Sequence, residues 1–86
     1  MSVLNTVNSL TNCGYIFKYG NDLYKSIYIH KKKEFFIYTL KQINSGELCW
    51  TDGNYIKEFS LIRKDSVSEE ELKQGYDYLY KYQVII

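Results

Sequence analysis

The chain has no proline and no alanine, and among its 86 residues it has one arginine, one tryptophan, one histidine and two cysteines. Proline and alanine have GC-rich codons, whereas the abundant Lys, Ile, Asn and Tyr have AT-rich ones. The bias implies an AT-rich source genome, such as that of a low-GC bacterium or one of its phages or plasmids, and says nothing of structure. His30, Cys13 and Cys49 are the only imidazole and thiol groups, and each stands alone. A structural zinc site draws four such groups at short paired spacings, so no metal and no other cofactor is expected. A Cys–His nucleophile would need a third orienting group beside the pair, and the five glycines each fit a turn or cap rather than a phosphate-cradling cluster. The chain is therefore not expected to be an enzyme. The opening Met1-Ser2-Val3-Leu4-Asn5 lacks the charged region and long apolar run of a signal peptide, and no run reaches membrane-spanning length. These absences lead to the expectation of a cytoplasmic protein with reduced cysteines and no membrane contact. For a phage gene that would be the host-cell cytoplasm.

What is present is globular. Apolar residues make up 45% of the chain and net charge is +1, a balance that separates it from disordered sequences. Its length predicts one domain spanning residues 1–86. Ten tyrosines supply most of the aromatic content; tyrosine suits half-buried strand positions and contact surfaces, with an apolar ring and a polar tip.

The predicted class is α+β: a five-stranded, mainly antiparallel sheet with a short N-terminal helix and a C-terminal helix. Val3, Leu4, Val7 and Leu10 recur at helical spacing over residues 2–12, and Gly14 can cap that helix in a left-handed conformation. Residues 15–19, 23–30 and 34–40 form a meander, turning at Gly20-Asn21-Asp22 and at Lys31-Lys32-Lys33. Along 23–30, strict alternation points Leu23, Lys25, Ile27 and Ile29 to the core and the tyrosines away from it. Asp52-Gly53 between two further β-rich runs, 48–50 and 55–62, predicts a hairpin. Ile27, Ile29, Phe36, Tyr38, Trp50, Phe59 and Leu61 are the expected core. Ser68 and Glu71 form a capping box, Val67 and Leu72 a hydrophobic staple, and Glu69/Lys73 and Asp77/Lys81 are favourable i,i+4 pairs. These open a helix that runs to about Tyr82. The alternative ends it at Gly75 and continues as a sixth strand, because Tyr76, Tyr78, Tyr80, Tyr82, Val84 and Ile86 alternate with period two.

Two surfaces are candidates. The first is tyrosine-rich: Tyr78, Tyr82 and Tyr80, with Tyr24 and Tyr28 on the sheet, as a contact surface for a larger protein or complex. The second is basic: Lys31, Lys32, Lys33 and Lys25 beside strand tyrosines, a layout suited to single-stranded nucleic acid. A lysine turn is also a common solubilising hairpin tip. In size, composition and lack of catalytic groups the chain resembles, in style only, the small proteins with which phages and mobile elements disable host or defence proteins, anti-CRISPR proteins among them. No motif carries that resemblance. The favoured reading is a non-catalytic protein-binding module acting as an inhibitor by occlusion. A nucleic-acid-binding accessory is the alternative, and a homodimer or larger homo-oligomer the third.

Overall fold

A computed structural model describes residues 13–33 and 35–84. The strands are β1 (Cys13–Tyr19), β2 (Asp22–Lys32), β3 (Phe35–Gln42), β4 (Leu48–Asp52) and β5 (Ser60–Ser66), followed by one helix, α1 (Glu69–Lys81). All pairings are antiparallel, in the order β4-β3-β2-β1-β5. The fold is α+β, as predicted for the sheet and the C-terminal helix. The helix expected over residues 2–12 lies outside the described residues. Gly14, read as its cap, belongs to β1, where a Cβ would meet Val67 Cγ2 at 2.7 Å and the Ser26 carbonyl oxygen at 2.9 Å.

The first turn follows the sequence. Gly20, at φ +63°, takes the first position of a two-residue loop between the paired Tyr19 and Asp22, where a type II′ hairpin needs positive φ. The Asp-Gly turn does not. Neither Asp52 nor Gly53 has a positive φ. Instead the Asp52 Oδ1 accepts the N–H groups of Asn54 (3.0 Å) and Tyr55 (3.1 Å), steering the chain into a 3-10 turn at Ile56–Glu58. The expected hairpin is thus replaced by a crossing: β5 pairs with β1 at the far edge of the sheet rather than with β4. On the way Phe59 stacks on Tyr19 (ring centroids 4.6 Å) and meets Phe17 and Tyr24 edge-on (6.0 and 5.9 Å).

The strict alternation in β2 also fails, at one residue. Ser26 pairs with Leu40 and Tyr28 with Thr39, leaving Ile27 as the extra residue of a β-bulge. Past the bulge every side chain changes face. Tyr28 turns toward α1 and is 1% exposed, while Ile29 turns to the opposite face. Tyr28, Ile37, Leu72 and Leu79 form the core between helix and sheet, with Val67, Tyr76, Tyr78 and Val84 packed around it.

The helix lies over β2 and β3 and reaches β4, leaving the margins of the sheet less covered. That explains the misplaced core residues. Ile27 and Ile29 are buried and Tyr38 and Phe59 half-buried, but Phe36, Trp50 and Leu61 are 38%, 46% and 57% exposed. Trp50 lies on the short edge strand β4. Leu61 lies on β5, all of whose residues are exposed. Phe36 pairs with Lys31 near the β2–β3 tip.

α1 begins as the sequence predicts. The Ser68 hydroxyl accepts the Glu71 N–H (3.1 Å) and a Glu71 carboxylate oxygen accepts the Ser68 N–H (3.1 Å). Gly75 lies inside the helix, which excludes the sixth-strand alternative. A Cβ there would overlap Tyr28 Cβ and stand 3.2 Å from Ile27 Cγ1. The absent side chain brings the helix backbone down onto the bulge, and the Thr39 hydroxyl donates to the Gly75 carbonyl at 3.0 Å. The residue that looks like a helix breaker is the helix's seat on the sheet.

Gly75→Ala is expected to destabilise the fold by about 1–3 kcal/mol through overpacking, although alanine in an open helix would gain about 1 kcal/mol over glycine. Leu61→Ser, at a position expected from sequence to be core, should change stability by no more than about 0.5 kcal/mol. Chemical denaturation of both variants measures these effects; a stabilised Gly75→Ala protein would contradict the close seat.

Candidate functional site

The i,i+4 spacing divides the helix tyrosines into two stripes. Tyr76 and Tyr80 stack at 6.3 Å, with Tyr76 edge-on to Tyr28 (5.7 Å) and Tyr80 exposed. Tyr78 and Tyr82 form the other stripe, their centroids 4.8 Å apart, with Lys81 Nζ 5.6 Å from the Tyr82 ring. This second stripe flanks a groove of about 420 Å³ between the helix and the β3–β4 region. Lys41, Leu48, Gln74, Asp77 and Lys81 also line it. Tyr78 is half-buried and Tyr82 is 57% exposed. Burial, then the neighbouring Cys49 and Tyr82, raises the Tyr78 phenol above its ordinary pKa, so it stays a neutral hydrogen-bonding group. A smaller recess of about 270 Å³ lies beside Trp50, Thr51, Asp52 and Tyr55.

The predicted tyrosines therefore do not form one surface. Tyr78 and Tyr82 come together and Tyr80 occupies another flank of the helix. Tyr24 lies half-buried on the other side of the sheet against Phe59. Tyr28 is a core residue, and its place in the candidate surface is corrected: the bulge turned it inward. Burial and the nearby Tyr76 raise its phenol well above the usual range. Its hydroxyl lies 3.2 Å from His30 Nδ1, and His30 is half-buried beside it.

The basic set is also divided. Lys31 and Lys33 are exposed at the β2–β3 tip, where Lys33 has φ +53°, and Lys32 closes β2. Lys25 is engaged within the protein by an ion pair to Glu71. It sits directly across from Lys41 in the β2–β3 pairing, an arrangement that costs energy unless the like charges are neutralised. Glu71 supplies a shared counter-charge that offsets the repulsion, reaching Lys25 Nζ at 3.1 Å and Lys41 Nζ at 2.7 Å. Sequence spacing missed this clamp, because its three members lie on three elements. Burial alone would raise the Glu71 pKa. The bonds from Lys41, the Ser68 N–H and Lys25 outweigh it and bring the carboxyl down to about 2. The anticipated helix pairs Glu69/Lys73 and Asp77/Lys81 are not ion pairs; among the described residues only the two Glu71 bridges are.

No group of three or more His, Cys, Asp or Glu side chains among the described residues could hold a metal ion. Burial pushes the Cys49 thiol up, away from the thiolate that a nucleophile needs. The sequence reading also missed Trp50 and Tyr55 as surface residues and the half-buried Leu48 as a groove residue; the shortness of the run 48–50 before Asp52-Gly53 was the one available signal. The chain matches no protein-family model, no curated protein and no solved structure.

Glu71→Gln keeps the capping-box geometry, since glutamine serves there too, but loses both ion pairs. It should cost about 1–3 kcal/mol near neutral pH. Because folding lowers the Glu71 pKa, its contribution is present above the unfolded value of about 4.3 and is lost as pH falls toward about 2. The stability gap between parent and variant, measured by denaturation at several pH values, should close over that interval. A pH-independent gap would contradict the clamp.

Proposed function

We propose that the protein is a non-catalytic protein-binding module that occludes a larger protein or complex, in the manner of inhibitors made by phages and mobile elements. The supporting observation is the aromatic seam beside α1: Tyr78 and Tyr82 in one stripe along the groove, with Leu48 facing them. Exposed tyrosine offers large contact area at low side-chain entropy cost, and clustered aromatics next to a recess are typical of binding hot spots. Among the described residues the core is assembled without Tyr82, and its ring interactions are with Tyr78 and Lys81. The nucleic-acid reading loses one of its four lysines to the Glu71 clamp.

The test is affinity capture from extracts of the source cell or its host, using the parent, Tyr78→Ala, Tyr82→Ala and a Lys31/Lys32/Lys33→Ser variant. Each alanine variant should remain folded and lose at least about tenfold in affinity for the captured protein, a change of about 1.4 kcal/mol. The triple serine variant should bind like the parent, and raising salt should have little effect. Steep salt dependence together with loss of binding in the serine variant would transfer the function to the lysine tip and nucleic acid.

A further inference from the structure

The two margins of the sheet differ in how they are protected. An edge strand exposes backbone N–H and C=O groups that invite another strand, and proteins blunt such edges with cations, prolines or bulges. β5 is blunted: Arg63 and Lys64 lie on it, and its pairing with β1 is interrupted by a bulge that leaves Ile62 unpaired. β4, Leu48-Cys49-Trp50-Thr51-Asp52, has none of these devices.

The hydrogen-bond parity of β4 can be worked out from its ends. The Gln42 N–H donates to Glu47 O (2.9 Å) and the Gly53 N–H to Phe36 O (3.1 Å). Antiparallel pairs alternate between bonded and non-bonded, so Cys49 and Thr51 also turn their backbone groups toward β3. Leu48, Trp50 and Asp52 turn theirs outward, and among the described residues β4 has no strand on that side. We infer that β4 pairs antiparallel with β4 of a second copy of this chain, about a two-fold axis at Trp50.

The register follows from that parity. Trp50 opposes Trp50 of the second copy and Leu48 opposes Asp52 of the second copy, all of them residues whose N–H and C=O groups face outward. The two exposed indoles pair across the axis, a favourable cross-strand contact. Each Asp52 carboxylate arrives opposite Leu48, on the side where Lys81 lines the groove; Lys81 has no carboxylate within ion-pair distance among the described residues. An edge pairing centred on Arg63 or Lys64 of β5 would instead bring like cations together at the axis. In the β4 dimer both helices lie on one face of a continuous sheet, with their Tyr78/Tyr82 stripes flanking the two-fold axis. The dimer does not depend on the proposed partner, and its test uses the protein alone.

The same register sets Cys49 opposite position 51 of the second copy as a non-bonded pair. Its Cα separation of about 4.5 Å falls within the range a disulfide spans. The experiment is sedimentation of the parent and Trp50→Asp across micromolar to millimolar concentration. It is combined with mild oxidation of the full-length Thr51→Cys variant by oxidised glutathione in a Cys13→Ser background. The expected results are a concentration-dependent dimer for the parent and at least about a tenfold weaker one for Trp50→Asp, which sets two carboxylates at the axis. Peptide mapping should find Cys49 joined to the thiol introduced at position 51 of the second copy. A control thiol from Leu61→Cys on β5, in the same background, should not cross-link. A parent that stays monomeric throughout would overturn the inference, as would a dimer lacking the Cys49 to position 51 link.

Discussion

The structure depends on one close approach. At Gly75 the helix backbone meets the sheet where β2 bulges, and the space a side chain would fill is held by Tyr28 and Ile27. The bulge and the glycine need each other. Without the extra residue at Ile27, Tyr28 would point away from the helix and the core would lose its largest fully buried side chain. With a Cβ at position 75, the helix would have to lift from that ring. The Thr39 hydroxyl, wholly buried, secures the contact by donating to the Gly75 carbonyl, and Leu72 and Leu79 pack on either side of it along the helix.

Glu71 fixes the other end of the same helix. It lies one turn before Gly75, where the capping box and the positive end of the helix dipole already favour a carboxylate. The sheet presents Lys25 and Lys41 side by side at that point, so one residue caps the start of the helix, bridges two cations and sets the helix's position along the sheet. With both anchors set, the C-terminal half of α1 runs beside β4. Tyr78, half-buried against the core, and the exposed Tyr82 then both line the groove, and the proposed function rests on that placement.

What was legible in the sequence was mostly local chemistry. The capping box at Ser68 and Glu71, the turn at Gly20, the strand content and the helix through Gly75 all depend on residues within a few positions of one another. The pairing of Tyr78 with Tyr82 in one stripe was legible for the same reason, since helical angle alone sets it, although Tyr78 is half-buried against the core. What failed was non-local. The bulge at Ile27 leaves no mark in a strictly alternating segment, and it reversed the faces of Tyr28 and Ile29. Asp52-Gly53 reads as a hairpin, yet the Asp52 carboxylate capped the following N–H groups and sent the chain across the sheet. Trp50 reads as core by residue type, but β4 became an edge strand, and edge position is a property of topology. The ion pair of Lys25 with Glu71, from another element, likewise left no mark in the sequence spacing.

The most direct measurement of the central claim is a set of proton–proton Overhauser contacts from Gly75 in the labelled, full-length protein. The account predicts strong contacts from the Gly75 α-protons to the Tyr28 β-protons and to Thr39, with Ile29 showing none to α1. Contacts from Ile29 to the helix, with Tyr28 instead near Phe17 and Tyr24, would mean that β2 keeps its alternation without a bulge. The seat at Gly75, and the groove it positions, would then be contradicted.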